Sequence, residues 1–133
     1  MAIMEIGIKF KSELEVTCAD TAISAGSGTL RVLATPVVIA LIEKTAWKSV
    51  DKYIGNGCCT VGTALNIEHL APTPVGMTVV CETTLTETCG RKLVFNAEVY
   101  DTNGLAIAKG THTRFIVDGD RFQKKADSFL KDK

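Results

Sequence analysis

The run Ala34-Thr35-Pro36-Val37-Val38-Ile39-Ala40-Leu41-Ile42-Glu43-Lys44 constrains the fold of this chain more than any other segment. A threonine–proline step opens it. Thr35 is a candidate N-cap through its hydroxyl, and Pro36 suits a first turn whose N–H groups lack helical partners anyway. The stretch that follows is apolar on nearly every face, which predicts a buried helix rather than an amphipathic one. This helix is expected from Thr35 to about Tyr53, with Gly55-Asn56-Gly57 as its stop. Buried there, Glu43 must be neutralised, paired or used.

The segments around the helix alternate with period two. Lys11 to Thr17 reads as a strand, and Ala22 to Gly28 as a small-residue loop or lid. After the helix come strands over Cys59 to His69, Met77 to Glu87, Lys92 to Tyr100 and Leu105 to Val117. The breaks between them are Pro72-Thr73-Pro74-Val75-Gly76, Cys89-Gly90 and the Asn-Gly step of Asp101-Thr102-Asn103-Gly104, a strong hairpin signal. Hairpin connections predict that these four strands are antiparallel neighbours in chain order. Asp120 to Lys131 reads as a short polar helix. One long helix lying across such a sheet is an α+β architecture, and residues 1–133 are expected to form one domain.

Composition narrows the function classes. The 15 basic residues balance 15 acidic ones, which gives no support to a nucleic-acid or membrane-surface role. Five cysteines with no CxxC pair argue against a disulfide framework and against structural zinc. They are expected to be reduced and to act as small hydrophobes, in a cytoplasmic protein without a signal peptide. The two histidines, His69 and His112, have no metal-ligand spacing, so no metal is expected.

The chemical candidates each admit a plain structural reading. Glu43 is either a buried functional carboxylate or a solvated residue beside Lys44 and Lys48. His69, at a strand end before the proline break, is either a proton carrier or a surface residue. Thr35 is a cap that also stands at a helix N-terminus, where developing negative charge is stabilised. Gly62 permits close backbone approach or marks a bulge. Arg114, with Lys109 and Arg91, either holds phosphates or is sheet-edge charge.

Taken together, these motifs resemble the hotdog-fold thioesterases, and among them the fluoroacetyl-CoA thioesterase-like family. The resemblance spans Val32 to Phe122. It rests on the ordered occurrence of Ala34-Thr35-Pro36 with Glu43, Val61-Gly62-Thr63, Glu68-His69-Leu70, Thr73-Pro74-Val75-Gly76-Met77-Thr78-Val79 and Gly110-Thr111-His112-Thr113-Arg114. It implies a hotdog fold, with a five- to six-stranded antiparallel sheet wrapped around one central helix. It also implies a homodimer, or a tetramer of two such dimers, with acyl-CoA sites at the subunit interface. Coenzyme A enters only as part of the substrate, and no separate cofactor is implied. By the same resemblance Thr35, Glu43 and His69 are the catalytic group, with Gly62 and Arg114 binding substrate. The fluoroacetyl-specific enzyme has phenylalanines over its acyl group, whereas Thr21 to Leu33 here holds no aromatic residue. The expected activity is therefore hydrolysis of a short or small acyl-CoA. A non-catalytic acyl-CoA-binding module is the alternative; a hotdog dehydratase would need a different acid–histidine arrangement on its helix.

Helical geometry adds a constraint. Eight residues of continuous helix separate Thr35 from Glu43 by about 12 Å along the axis and roughly 80° around it. One site can hold both only if Thr35 leaves the helix or if two subunits share the site. The second arrangement is the one expected.

Overall fold

The computed structural model describes residues 4–130. Among them the chain forms β1 (Lys9–Glu15), a 3₁₀ turn (Cys18–Asp20), α1 (Ala22–Ala25), α2 (Thr35–Val50), a second 3₁₀ turn (Asp51–Tyr53), β2 (Cys58–His69), β3 (Thr78–Cys89), β4 (Lys92–Asp101), β5 (Ala106–Asp118) and α3 (Gly119–Ser128). The five strands make one antiparallel sheet in the order β1-β3-β4-β5-β2, and α2 packs across one face of it. This is the expected hotdog architecture.

The sheet order corrects one expectation. β2 does not pair with β3, its successor in sequence; it pairs with β5 and forms one edge, while β1 pairs with β3 and forms the other. The proline segment is a crossover and not a hairpin. Its backbone bonds to the strap before α2, with Leu33 N–H donating to the Thr73 carbonyl at 2.9 Å, and then to the end of β1, with Gly76 N–H donating to the Val16 carbonyl at 2.8 Å. Those contacts lead the chain to the far edge before β3 begins. The other two connections are tight hairpins. Asp101 Oδ1 accepts from the N–H groups of Asn103 (2.9 Å) and Leu105 (3.0 Å), and Gly104 takes a positive φ of 85° that few other residues tolerate.

The central helix is not buried all round, as its sequence suggested. Val38, Leu41, Ile42, Thr45, Ala46, Ser49 and Val50 are buried, and their three-and-four spacing defines one face against the sheet. Pro36, Ala40, Lys44 and Trp47 lie on the exposed side. The apolar run is longer than the face the sheet covers, so hydropathy alone misreads the periphery. The inner sheet face supplies Val79, Cys81, Leu85, Leu93, Phe95, Ala97, Val99 and Ile107, each at most 2% exposed.

Three smaller expectations also change. The 22–28 loop contains α1, capped by Thr21, whose hydroxyl accepts from Ser24 N–H. The C-terminal helix begins at Gly119 under an Asp118 cap, and its expected end at Lys131 lies outside the described residues. All five cysteines are free, but only Cys81 is a buried hydrophobe, with burial pushing its thiol pKa up to about 11. Cys18, Cys58, Cys59 and Cys89 are exposed, standing in turns or at strand ends that the core does not reach. No described helix is long and apolar enough to cross a membrane.

Candidate active site

Thr35 is not the N-cap. Ala34 holds that position with extended backbone (φ −76°, ψ 140°), and Thr35 is the first helical residue, followed by Pro36. Its hydroxyl is thereby released from capping, and it lies 2.7 Å from His69 Nδ1. Thr35 and His69 line a cavity of about 290 Å³ together with Ala22, Ser27, Leu33 and Leu70. The His69 Nε2 atom is buried and has no hydrogen-bond partner among the described residues. Burial lowers the pKa of His69 below its ordinary 6.5, opposed only in part by the nearby Ala71 backbone, which makes no hydrogen bond to the ring. The ring is therefore neutral near pH 7. With its proton on Nε2, Nδ1 accepts the Thr35 hydroxyl and is placed to take its proton.

A second group of residues sits further along α2. Glu43 Oε2 stands 3.8 Å from Arg114 Nη1, with the Glu43 side chain 40% exposed and that of Arg114 7% exposed. Arg114 is held firmly. Its Nε donates to Thr60 Oγ1 at 2.8 Å, its Nη2 to the Thr60 carbonyl at 2.9 Å, and its Nη1 meets His112 Nε2 at 3.1 Å. Gly62 lies beneath this group. A Cβ at that position would stand 2.6 Å from Glu43 Oε2, 3.1 Å from His112 Cε1 and 3.2 Å from Arg114 Nη1. Glycine lets the Glu43 carboxylate close over the strand backbone, and a Cβ there would displace it.

A β-bulge puts both groups on the same side of the sheet. Gly62 and His69 are seven positions apart on β2, and an odd separation places two residues on opposite faces of a regular strand. The register shifts between Gly62 and Ala64, leaving Thr63 as the extra residue. The shift turns His69 inward with Gly62. Nothing in the local sequence announces that bulge beyond the glycine itself.

The structure thus brings Thr35 to His69, and Glu43 to Gly62 and Arg114, and keeps the two groups apart within one chain. Thr35 and Glu43 lie in one continuous helix, so the ~12 Å rise between them stands. The grouping of Arg114 with Arg91 and Lys109 is corrected. Arg114 is buried in the site, Lys109 faces other cavities, and Arg91 lines a separate groove of about 650 Å³ with Arg121 and Lys125. The reason is register, since Lys109 is an odd number of residues from Arg114 and Arg91 lies in a turn. Thr60 and His112 are site neighbours that sequence reading missed. The signal was available: each lies two residues from a singled-out position, and on a strand that means the same face.

A long helix cradled by an antiparallel sheet, with a threonine–histidine pair at the helix start and a carboxylate–arginine pair further along, defines a hotdog-fold thioester hydrolase. The comparisons give its family. A family model described as fluoroacetyl-CoA-specific thioesterase matches residues 16–120, and the chain belongs to that family. The fluoroacetyl-CoA thioesterase of Streptantibioticus cattleyicolor is 31% identical over 94 residues, covering 71% of this chain and 67% of that protein. The solved structure of the fluoroacetyl-CoA thioesterase FlK superposes with a TM-score of 0.90 at 26% identity, covering 96% of this chain and 98% of that one. A thioesterase superfamily member from Thermus thermophilus shares the fold, with a TM-score of 0.90 at 20% identity over 98% of this chain and 96% of that one.

Proposed function

We propose that this protein hydrolyses the thioester of a small acyl-CoA at a site shared by two subunits, with Thr35 and His69 from one chain and Glu43 from its partner. One observation carries the reading. Thr35 and His69 are hydrogen-bonded at 2.7 Å, yet the far nitrogen of that histidine is buried and without a partner. A buried polar atom left unsatisfied in one chain is the expected mark of a group that another completes. A carboxylate is the chemically suited group, since it accepts from Nε2–H and stabilises the imidazolium that forms during proton transfer.

The edge strand supplies the route. β2 is 12 residues long, largely exposed and, among the described residues, unpaired on its outer side, a template for pairing with a second copy. Antiparallel pairing of two β2 strands about a two-fold axis near Leu65 brings the Gly62 end of one chain to the His69 end of the other. The partner subunit's Glu43 then approaches the Thr35–His69 pair. In this site His69 takes the proton as an oxygen nucleophile, the Thr35 oxygen or a water that it holds, attacks the thioester carbonyl. The helix N-terminus faces the developing oxyanion, and His69 returns the proton to the departing CoA thiolate. Water is the final acyl acceptor, directly or by hydrolysing the ester formed on Thr35, so the products are a free acid and free thiol. The cavity beside Thr35 is lined by small and aliphatic side chains without an aromatic lid, which suits a short acyl group and gives no support to the fluorinated one.

Thiol release from a panel of acyl-CoA substrates tests the activity, and subunit mixing tests the shared site. Thr35→Val and Glu43→Gln proteins are each expected to be inactive. After unfolding and refolding together, about a quarter of wild-type activity should return, because half of the dimers are mixed and each carries one intact site. Thiol release by neither wild type nor mixture would make this a binding module. An active wild type with no recovery on mixing would confine the site to one chain.

A further inference from the structure

We infer that His112 is a positioning residue, which as the neutral Nδ1–H tautomer fixes the Arg114 guanidinium against Glu43 without neutralising it. The inference rests on the proposed role of Glu43 at the thioester site.

His112 lies in the middle of β5 and is 1% exposed. Its Nδ1 is 2.9 Å from the Ala64 carbonyl oxygen. A carbonyl can only accept, so Nδ1 must carry the proton. In a neutral ring Nε2 is then bare, and that atom is the one 3.1 Å from Arg114 Nη1, which can only donate. Both contacts are satisfied by one tautomer in one charge state. An imidazolium would set N–H against N–H and a second positive charge beside the first.

The groups packed around the ring agree. Arg114 comes from its own strand, Glu43 from α2, the uncharged Ala64 carbonyl from β2, and the Phe95 ring from β4 with its centroid 6.3 Å away. Burial lowers the His112 pKa and the Ala64 bond opposes this; the Arg114 charge lowers it further, and the Glu43 charge, the smallest influence, raises it.

A neutral acceptor is what this position needs. Thr60 takes Nε–H and Nη2–H of Arg114, and His112 takes one Nη1–H. The guanidinium plane is then set, with Glu43 as the facing anion at 3.8 Å. A carboxylate in place of His112 would fix the same plane but compete with Glu43 for its charge. The imidazole holds the fork and leaves the positive field directed at Glu43 and Gly62.

Two measurements test this. The first reads the imidazole ¹⁵N shifts of His112 in the folded wild type near neutral pH. A protonated Nδ1 with a bare Nε2 is expected, and a doubly protonated ring or the opposite tautomer overturns the inference. The second compares three variants in the acyl-CoA assay. His112→Gln keeps an acceptor near the Nε2 position, His112→Asn keeps a donor near Nδ1, and His112→Phe keeps the ring volume against Phe95. Asn and Phe should each lower kcat by about tenfold or more, as loss of an orienting partner does, while Gln restores it to within about threefold of wild type. Folded Phe protein with full kcat, or Gln no better than Asn, overturns it. If instead Glu43→Gln retains full hydrolysis, the reading of the site has failed, and the ¹⁵N result still decides the tautomer.

Discussion

The two ends of the inner β2 face make opposite uses of the same strand. At the His69 end a neutral imidazole and a hydroxyl share a short hydrogen bond beside an open cavity, and one ring nitrogen is left unserved. At the Gly62 end a buried guanidinium is held by three contacts, and its carboxylate partner is half exposed. The first arrangement is suited to moving a proton, because a neutral histidine with a free lone pair can accept one and release it. The second is suited to holding a charge in place, because an arginine never releases its proton. The difference teaches that a threonine, a glutamate and a histidine in one chain need not form one triad in that chain. Each end holds what the other lacks.

The largest effect expected of this comparison comes from the proton-moving end. His69→Ala should lower kcat by about 10³-fold, within the range for loss of a general acid–base, with KM changed little. Since Nε2 has no partner among the described residues to be orphaned, the folded protein should melt close to the wild type. Full turnover by folded His69→Ala protein would remove the distinction between the two ends.

The glycines give a sharper and smaller test. At Gly62 the nearest obstruction to a Cβ is the flexible tip of Glu43, which can swing toward solvent at little cost to folding. Gly62→Ala should therefore cost at most about 1 kcal/mol of stability yet lower kcat by about 10- to 100-fold, by driving the carboxylate out of place. At Gly110 a Cβ would run into the Asn66 carbonyl on the neighbouring strand, and backbone does not yield. Gly110→Ala should cost about 3 kcal/mol and show as a lowered melting temperature. Melting curves beside kcat for the pair check this. Equal stability losses would mean that Glu43 is as rigidly placed as the strand itself.

These residues also mark how far the sequence could be read. The long helix, the two hairpins and the inward residues of β3 and β4 follow from period and turn chemistry, which act locally. So do Thr35, Glu43, Gly62, His69 and Arg114 as residues worth attention, once their order resembled a family. The position of β2 was not legible, because alternation says which side of a strand is buried but not which strand lies beside it. The bulge at Thr63 was legible only as one of two readings of Gly62, yet without it His69 would face away from α2. The contacts of Arg114 were half legible. His112 and Thr60 share a strand face with residues already chosen, but their hydrogen bonds depend on the register between β2 and β5, which are 52 residues apart at Gly62 and Arg114. Capping statistics assigned Thr35 to the wrong task, since Ala34 occupies the cap and leaves the threonine hydroxyl for His69.

The smallest effect concerns pH, and it tests what the two ends share. His69 and His112 both have folded-state pKa values below the ordinary 6.5, each chiefly because burial disfavours the charged ring. Between the folded value and 6.5 the unfolded chain therefore binds protons that the folded chain refuses. Stability rises with pH across that window, is fully present above about 6.5, and is lost as the pH falls through it. The melting temperature should drop by a few degrees from about pH 7.5 to about pH 5, and the drop should shrink in His69→Gln and again in His112→Phe. A flat profile in the wild type would mean that neither ring is held neutral. If only His112→Phe flattened the profile, His69 would be free to charge in the folded chain. The partner subunit's Glu43, accepting from Nε2–H, would favour the charged ring in that way, so this outcome would point to a completed shared site.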